Sequence, residues 1–236
     1  MQVKVLFNKE TLNKKFHTGW GLSFLIGGKI LFDTGEKGEW LLENIESLKV
    51  NIGKIEVIVI SHDHWDHTGG LWALLERKRF KVYGLRGFSE KFKMRIKSLN
   101  SELVEKEDFS EIRKNIFTTG EVLATYRGMS LPEQALVIKT SRGVSIVTGC
   151  SHPGILKILK LVKSYFRTDN FYFVGGGFHL IDKEQRQLQF LIEEFGKLKV
   201  FKVGPTHCSG YEAEELFRRS YKDNFVSLEV GKSLEV

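Results

Sequence analysis

The chain has 236 residues, 42% of them hydrophobic, enough for one large domain with a sizeable core. Its 36 basic and 29 acidic residues leave a net charge of +7, but the charges are mixed along the chain, so they read as a lysine-rich solvated surface and not as a nucleic-acid footprint. No apolar run approaches the ~20 residues that span a bilayer, the first residues lack the apolar stretch and cleavage site of a signal peptide, and two cysteines, Cys150 and Cys208, are too few for a disulfide scaffold. A cytoplasmic location is expected.

In chain order, strands are expected at 3–7, 22–27 and 29–33, the last two joined by a tight hairpin at Gly27-Gly28. The helical spacing of Trp40, Leu41, Ile45 and Leu48 predicts a helix over 38–49. IEVIVI at 55–60 is a continuous apolar run, as in a strand buried on both faces. A helix over 70–79 and a strand over 80–84 follow. Residues 85–120 break the rhythm. Phe88, Phe92, Ile96 and Leu99 mark an amphipathic helix with Ser89 as its N-cap, and a basic half precedes an acidic half. This stretch reads as a small inserted subdomain or lid, or equally as a solvated excursion. Beyond it come a hairpin of 135–140 with 144–149, a helix over 155–166, a strand at 171–176, a helix over 184–196 and a strand at 199–204. The alternation predicts an α/β fold with helices packed on sheets.

Four of these strands end in polar clusters: SHDHWDHTGG (61–70), TGCSHPG (148–154), GGGFHL (175–180) and PTHCSG (205–210). Strand ends are where sites assemble in α/β architectures. In the first cluster His62, His64 and His67 fall within six residues, with Asp63 and Asp66 among them. Imidazole and carboxylate suit zinc, iron or manganese. His62 and His64 are two apart in a loop and can point one way. Asp66 and His67, where a helix begins, aim at a neighbouring position. One segment thus offers two ligands to each of two metals, which together would clamp an attacking water and a leaving oxygen. The plain alternative is a polar surface turn, which the crowding and the buried strand before it disfavour.

SHDHWDHTGG resembles the His-x-His-x-Asp-His signature of the metallo-β-lactamase superfamily. LFDTG (31–35) resembles the turn that precedes it there, which implies that Asp33 supports the metal loop from behind the ligands. PTHCSG resembles the late strand-end histidine of that superfamily and implies His207 as a ligand of the second metal. The resemblance covers most of the chain and implies an αβ/βα four-layer sandwich. Two departures stand out. Cys150 occupies the turn where the superfamily carries a bridging aspartate, and no histidine lies between His67 and Cys150. His152 is therefore inferred to fill the vacant position on the first metal. Cys150 is either a thiolate ligand favouring softer metals or a small apolar residue beneath the site.

The set GCSHPG, GGGFHL and PTHCSG, with HTGWGLSFLI (17–26), resembles more narrowly the family of 7,8-dihydropterin-6-methyl-4-(β-D-ribofuranosyl)aminobenzene 5′-phosphate synthases. That family joins a dihydropterin diphosphate to a ribofuranosyl-aminobenzene phosphate and releases diphosphate. The resemblance implies a metal-dependent hydrolase or synthase using two divalent ions, zinc first with iron or manganese as alternatives, on a phosphorylated, pterin-like small molecule. A phosphodiesterase or lactonase, or a metal- or ligand-binding protein without turnover, are the other readings. Asp66 and His179 are the residues expected to handle protons. His179 is otherwise a substrate-phosphate contact, a metal ligand, or a histidine hydrogen-bonded at a strand end. His17 is either near the site or a turn residue. Trp65 and Trp72 are expected to pack on the metal loop and its helix. The expected partner is an anionic small molecule, with neither nucleic acid nor membrane; the oligomeric state is open.

Overall fold

The computed structural model describes residues 1–236 and divides into two compact units, 1–108 with 229–235 and 109–228 with Val236. The first contains β1 (Gln2–Phe7), β2 (Ser23–Ile26), β3 (Ile30–Phe32), α1 (Gly38–Ser47), β4 (Val57–Val59), α2 (Trp65–Thr68), α3 (Leu71–Arg77), β5 (Lys81–Leu85), α4 (Glu90–Ser98) and β6 (Glu102–Lys106). The second contains β7 (Ser110–Arg113), β8 (Ile116–Thr118), β9 (Thr125–Tyr126), β10 (Met129–Ser130), β11 (Leu136–Thr140), β12 (Gly143–Thr148), α5 (Ile155–Phe166), β13 (Phe171–Gly177), α6 (Gln185–Lys197), β14 (Val200–Thr206) and α7 (Tyr211–Tyr221). The last strand, β15 (Ser233–Glu235), returns to the first unit.

The first unit is a seven-stranded sheet in the order β15-β1-β2-β3-β4-β5-β6. β3 to β6 run parallel, linked through helices. The apolar faces of those helices, Leu41 and Ile45 of α1, Leu71, Leu74 and Leu75 of α3, and Phe92 and Ile96 of α4, form one core with Leu31, Ile58 and Val82 of the sheet. At Gly27-Gly28 both residues take positive φ, +57° and +70°, the two-residue turn that fits a hairpin between twisted strands. Ser89 caps α4, its hydroxyl accepting from the Phe92 N–H. The register pairs Phe32 with Val59, which sets the residue after β3, Asp33, beside the chain leaving β4.

The second unit is a six-stranded sheet in the order β14-β13-β12-β11-β8-β7, in which β12, β13 and β14 are parallel. α5 buries Ile155, Ile158, Leu159 and Val162, the i, i+3, i+4, i+7 stripe of an amphipathic helix, in a core shared with Phe195 of α6 and Phe217 of α7. Thr148 pairs with Gly176 and Gly177 with Thr206, so the three parallel strands release their chains at one edge of the sheet. Residues 85–120 supply α4 and β6 to the first unit and β7 and β8 to the second. No helix is long and apolar enough to cross a membrane.

Candidate metal centre

In the first unit the apolar run of β4 ends in buried Ser61 and His62; His64 is the N-cap of α2, and Asp66 and His67 lie buried in its single turn. Asp33 organises this loop. It is fully buried with φ +55°, and each of its carboxylate oxygens is used. Oδ1 accepts from the Ser61 N–H at 2.7 Å, and Oδ2 accepts from the Ser61 hydroxyl and from His67 Nδ1, each at 2.7 Å. The proton positions follow. The Ser61 hydroxyl spends its one proton on Asp33, so it accepts from His62 Nδ1, 2.9 Å away. Both His62 and His67 thus carry a proton on Nδ1, and their Nε2 atoms face the donors of the motif: His62 Nε2 lies 3.2 Å from His64 Nδ1, and His67 Nε2 lies 3.3 Å from Asp66 Oδ2.

Burial alone would lower the His67 pKa, but the carboxylates of Asp33 and Asp66 outweigh it and hold it well above its ordinary value. A positive charge is therefore favoured between those two carboxylates, and a divalent cation is another way to supply it. Burial raises the Asp33 pKa, and His67 and Ser61 offset that only in part. The backbone is packed equally close. A Cβ on Gly69 would meet the Glu36 carbonyl oxygen at 1.9 Å, while the Thr34 N–H and hydroxyl both bond to the His67 carbonyl, at 2.9 and 2.8 Å. The Gly69-Gly70 that ends the motif is what allows this approach.

In the second unit the loop after β12 carries Cys150, Ser151 and His152, and a residue that sequence reasoning missed holds it. Fully buried Glu133 accepts from the backbone N–H groups of Cys150 at 2.8 Å, Ser151 at 2.7 Å and His152 at 2.8 Å, and from His152 Nδ1 at 2.9 Å. Burial would raise its pKa, but His152 and these N–H groups overcome that and leave it lowered. His152, like His67, keeps Nε2 away from its carboxylate. Cys150 Sγ lies 3.2 Å from Nε2 of His207, which opens a 3-10 turn after β14 with φ +54°. Ligand atoms of Cys150, His152 and His179 lie within 4.8 Å of one another. His179, at the end of β13 with φ +52°, has a buried Nδ1 without a hydrogen-bond partner. Cys208 follows His207 in the same turn and is buried. Burial would raise its thiol pKa, but Cys150, His207 and His179 together hold it well below the usual range. A Cβ on Gly177 would meet Cys208 Sγ at 2.8 Å, so the third glycine of GGGFHL makes room for this cluster.

A model of the metallo-beta-lactamase superfamily matches residues 21–156, more than half of the chain. The chain belongs to the metallo-β-lactamase superfamily. A 7,8-dihydropterin-6-methyl-4-(beta-D-ribofuranosyl)-aminobenzene-5′-phosphate synthase of Methanocaldococcus jannaschii is 32% identical, covering 94% of this chain and 92% of that protein. An uncharacterized protein of the same organism is 30% identical over 99% of this chain and 100% of its own length. A solved structure of a metal-dependent hydrolase of the beta-lactamase superfamily superposes with a TM-score of 0.80 at 26% identity, over 100% of this chain and 99% of that one. The α/β fold is that of the superfamily, and the chain is a metal-dependent enzyme of it.

The donors fit a metal. In each unit a buried carboxylate takes the Nδ1 proton of a histidine, and Nε2 of that ring is left to a cation; this carboxylate–histidine arrangement is the usual support of a metal ligand. The orphaned Nδ1 of His179 adds a buried nitrogen without a partner. The expected residues fall into these two clusters: Asp33, His62, His64, Asp66 and His67 in one, Cys150, His152, His179 and His207 in the other. His17 stands apart from the donors of its own unit as a partner of α1. Its ring stacks on Trp40 and pairs with Glu43, and its N–H donates to Asn44 Oδ1 at 2.7 Å. Trp65 departs from expectation. It projects from α2 at 62% exposure, because α2 is a single turn whose other side faces Asp33. Trp72 packs as expected, 5.5 Å from the Phe92 ring with Arg95 above it at 4.0 Å.

Proposed function

We propose that this enzyme acts on a phosphorylated small molecule through a dinuclear metal centre. His62, His64, Asp66 and His67 would be the ligands that the first unit offers, and Cys150, His152 and His207 those that the second unit offers. One observation carries the reading. Asp33 and Glu133 fix the Nδ1 protons of His67 and His152, so the imidazoles are set to bind a cation through Nε2. The bound ions supply Lewis acidity toward a phosphoryl oxygen and make a water nucleophilic at neutral pH. The chain's own residues do the rest. Asp33, through Ser61, orients His62. Glu133 fixes the main chain of 150–152. Asp66 and His179 would hold and pass a proton at the leaving oxygen. Zinc is the ion the His, Asp and Cys set favours, with iron or manganese as alternatives.

The named relative supports the pterin-related branch, and the motif resemblance implies a condensation that releases diphosphate. The same centre serves hydrolysis when water is the acceptor. Product analysis decides between them. Zinc- or manganese-loaded protein is incubated with a dihydropterin diphosphate, with and without a ribofuranosyl-aminobenzene phosphate. Diphosphate release that requires the second substrate identifies a synthase. Release without it identifies a hydrolase. No release from this or from simple phosphate esters, by protein holding its metals, overturns the reading.

A further inference from the structure

Between β8 and β11 the chain makes a ribbon that belongs to neither large sheet. β9 and β10 pair only with each other, Tyr126 opposite Met129 and Thr125 opposite Ser130. Arg127 and Gly128 form the turn with φ +50° and +78°, the two-residue form that keeps a hairpin tight. At the base Val122 and Glu133 exchange backbone hydrogen bonds of 3.0 and 3.1 Å, and Leu131 N donates to the Ala124 carbonyl at 2.9 Å. The ribbon is thus rooted on Glu133, the carboxylate that holds Cys150, Ser151 and His152. Lys157 steadies one side, its ammonium donating to the Leu123 carbonyl at 2.9 Å.

Beyond its base, residues 123–130 of the ribbon bury little of their own. Leu123 is 63% exposed and Met129 70% exposed. Its half-buried Tyr126 instead sets its ring edge-on to His152 at 5.1 Å and to His179 at 5.7 Å. The Arg127 guanidinium lies 5.3 Å from the same ring. Ordering such an arm costs conformational entropy that its exposed side chains do not return. What it presents is an aromatic ring beside two site histidines and a fork of N–H donors next to that ring. Aromatic rings stack on flat groups, and a guanidinium binds phosphate oxygens in pairs.

We infer that the 122–133 ribbon is the substrate-selecting arm of this site, with Arg127 receiving the phosphate-bearing end and Tyr126 the flat part of the substrate. This rests on the proposed phosphate chemistry and names the residues that select within it. The test is calorimetric binding of inorganic diphosphate, inorganic phosphate and phenyl phosphate to metal-loaded wild type, Arg127→Gln, Tyr126→Phe and Tyr126→Ala, with metal content and Tm measured on each. Arg127→Gln should weaken diphosphate at least about tenfold, the loss of a charge-assisted pair, with metals and Tm unchanged. Tyr126→Ala should weaken phenyl phosphate more than inorganic phosphate, and Tyr126→Phe should restore that preference. Wild-type affinities in Arg127→Gln and Tyr126→Ala overturn the arm alone. So does a Tyr126→Ala variant that loses metal while phenyl and inorganic phosphate weaken equally, since the ring then only props His152. Metal-loaded wild type that binds none of the three probes overturns the phosphate reading itself.

Discussion

The loop after β4 and the loop after β12 are both built around a fully buried carboxylate that holds a histidine by Nδ1, yet the two carboxylates differ in electrostatic balance. Asp33 has three donors, of which one is a backbone N–H. Its pKa stays raised because burial prevails. Glu133 has four donors, three of them backbone N–H groups, and its pKa is lowered in spite of equal burial. Backbone donors are fixed by the chain and do not titrate or rotate away. The 150–152 loop is therefore tied to its carboxylate mainly through the main chain, whereas the tie of Asp33 to the 61–67 loop runs mainly through two side chains, Ser61 and His67, and through His67 depends on what lies at Nε2.

That difference can be broken in steps. The largest effect should come from Glu133→Ala, which strands four buried donors. About 3–5 kcal/mol is expected for removing one partner of a buried charged network, or roughly 6–20 °C in Tm for a chain of this size, measured by thermal unfolding. Asp33→Ala should cost less stability but more binding. Metal affinity should fall about 10–100-fold as His67 and His62 lose their orientation, read by competition with a chromophoric chelator. Removing metal from wild type with a chelator should raise amide exchange across 61–68 and leave 149–153 nearly as protected as before. Equal loosening of both loops would contradict the contrast drawn here. The smallest effect belongs to Trp65→Ala, where an exposed side chain should change stability by no more than about 0.5 kcal/mol.

Much of the first loop was legible because its chemistry is concentrated. His62, His64, Asp66 and His67 stand in one short motif after an apolar run, and Asp33 ends a strand whose partner is fixed by parallel pairing. α5 matched its predicted range, since four apolar residues at helical spacing meet a sheet. Glu133 was not legible. It sits in a Leu131-Pro132-Glu133-Gln134 stretch with no ligand spacing, and its donors are backbone N–H groups, which carry no residue signature. Tyr126 was missed for a related reason: it acts through neighbours that only tertiary packing brings close. β6, β7 and β8 are short edge or near-edge strands with mixed exposure, so neither alternation nor an apolar run announced them. α7 could have been read, because Ala213, Leu216, Phe217 and Tyr221 keep helical spacing, but it follows PTHCSG, whose site chemistry took precedence.

The proposed centre is tested most directly by elemental analysis of metal per chain, on protein purified without added metal and again after loading, for wild type, His67→Ala and His152→Ala. About two ions in loaded wild type and about one in each variant are predicted, since each histidine serves a different ion. One ion in loaded wild type, or two retained in His152→Ala, would contradict the dinuclear assignment.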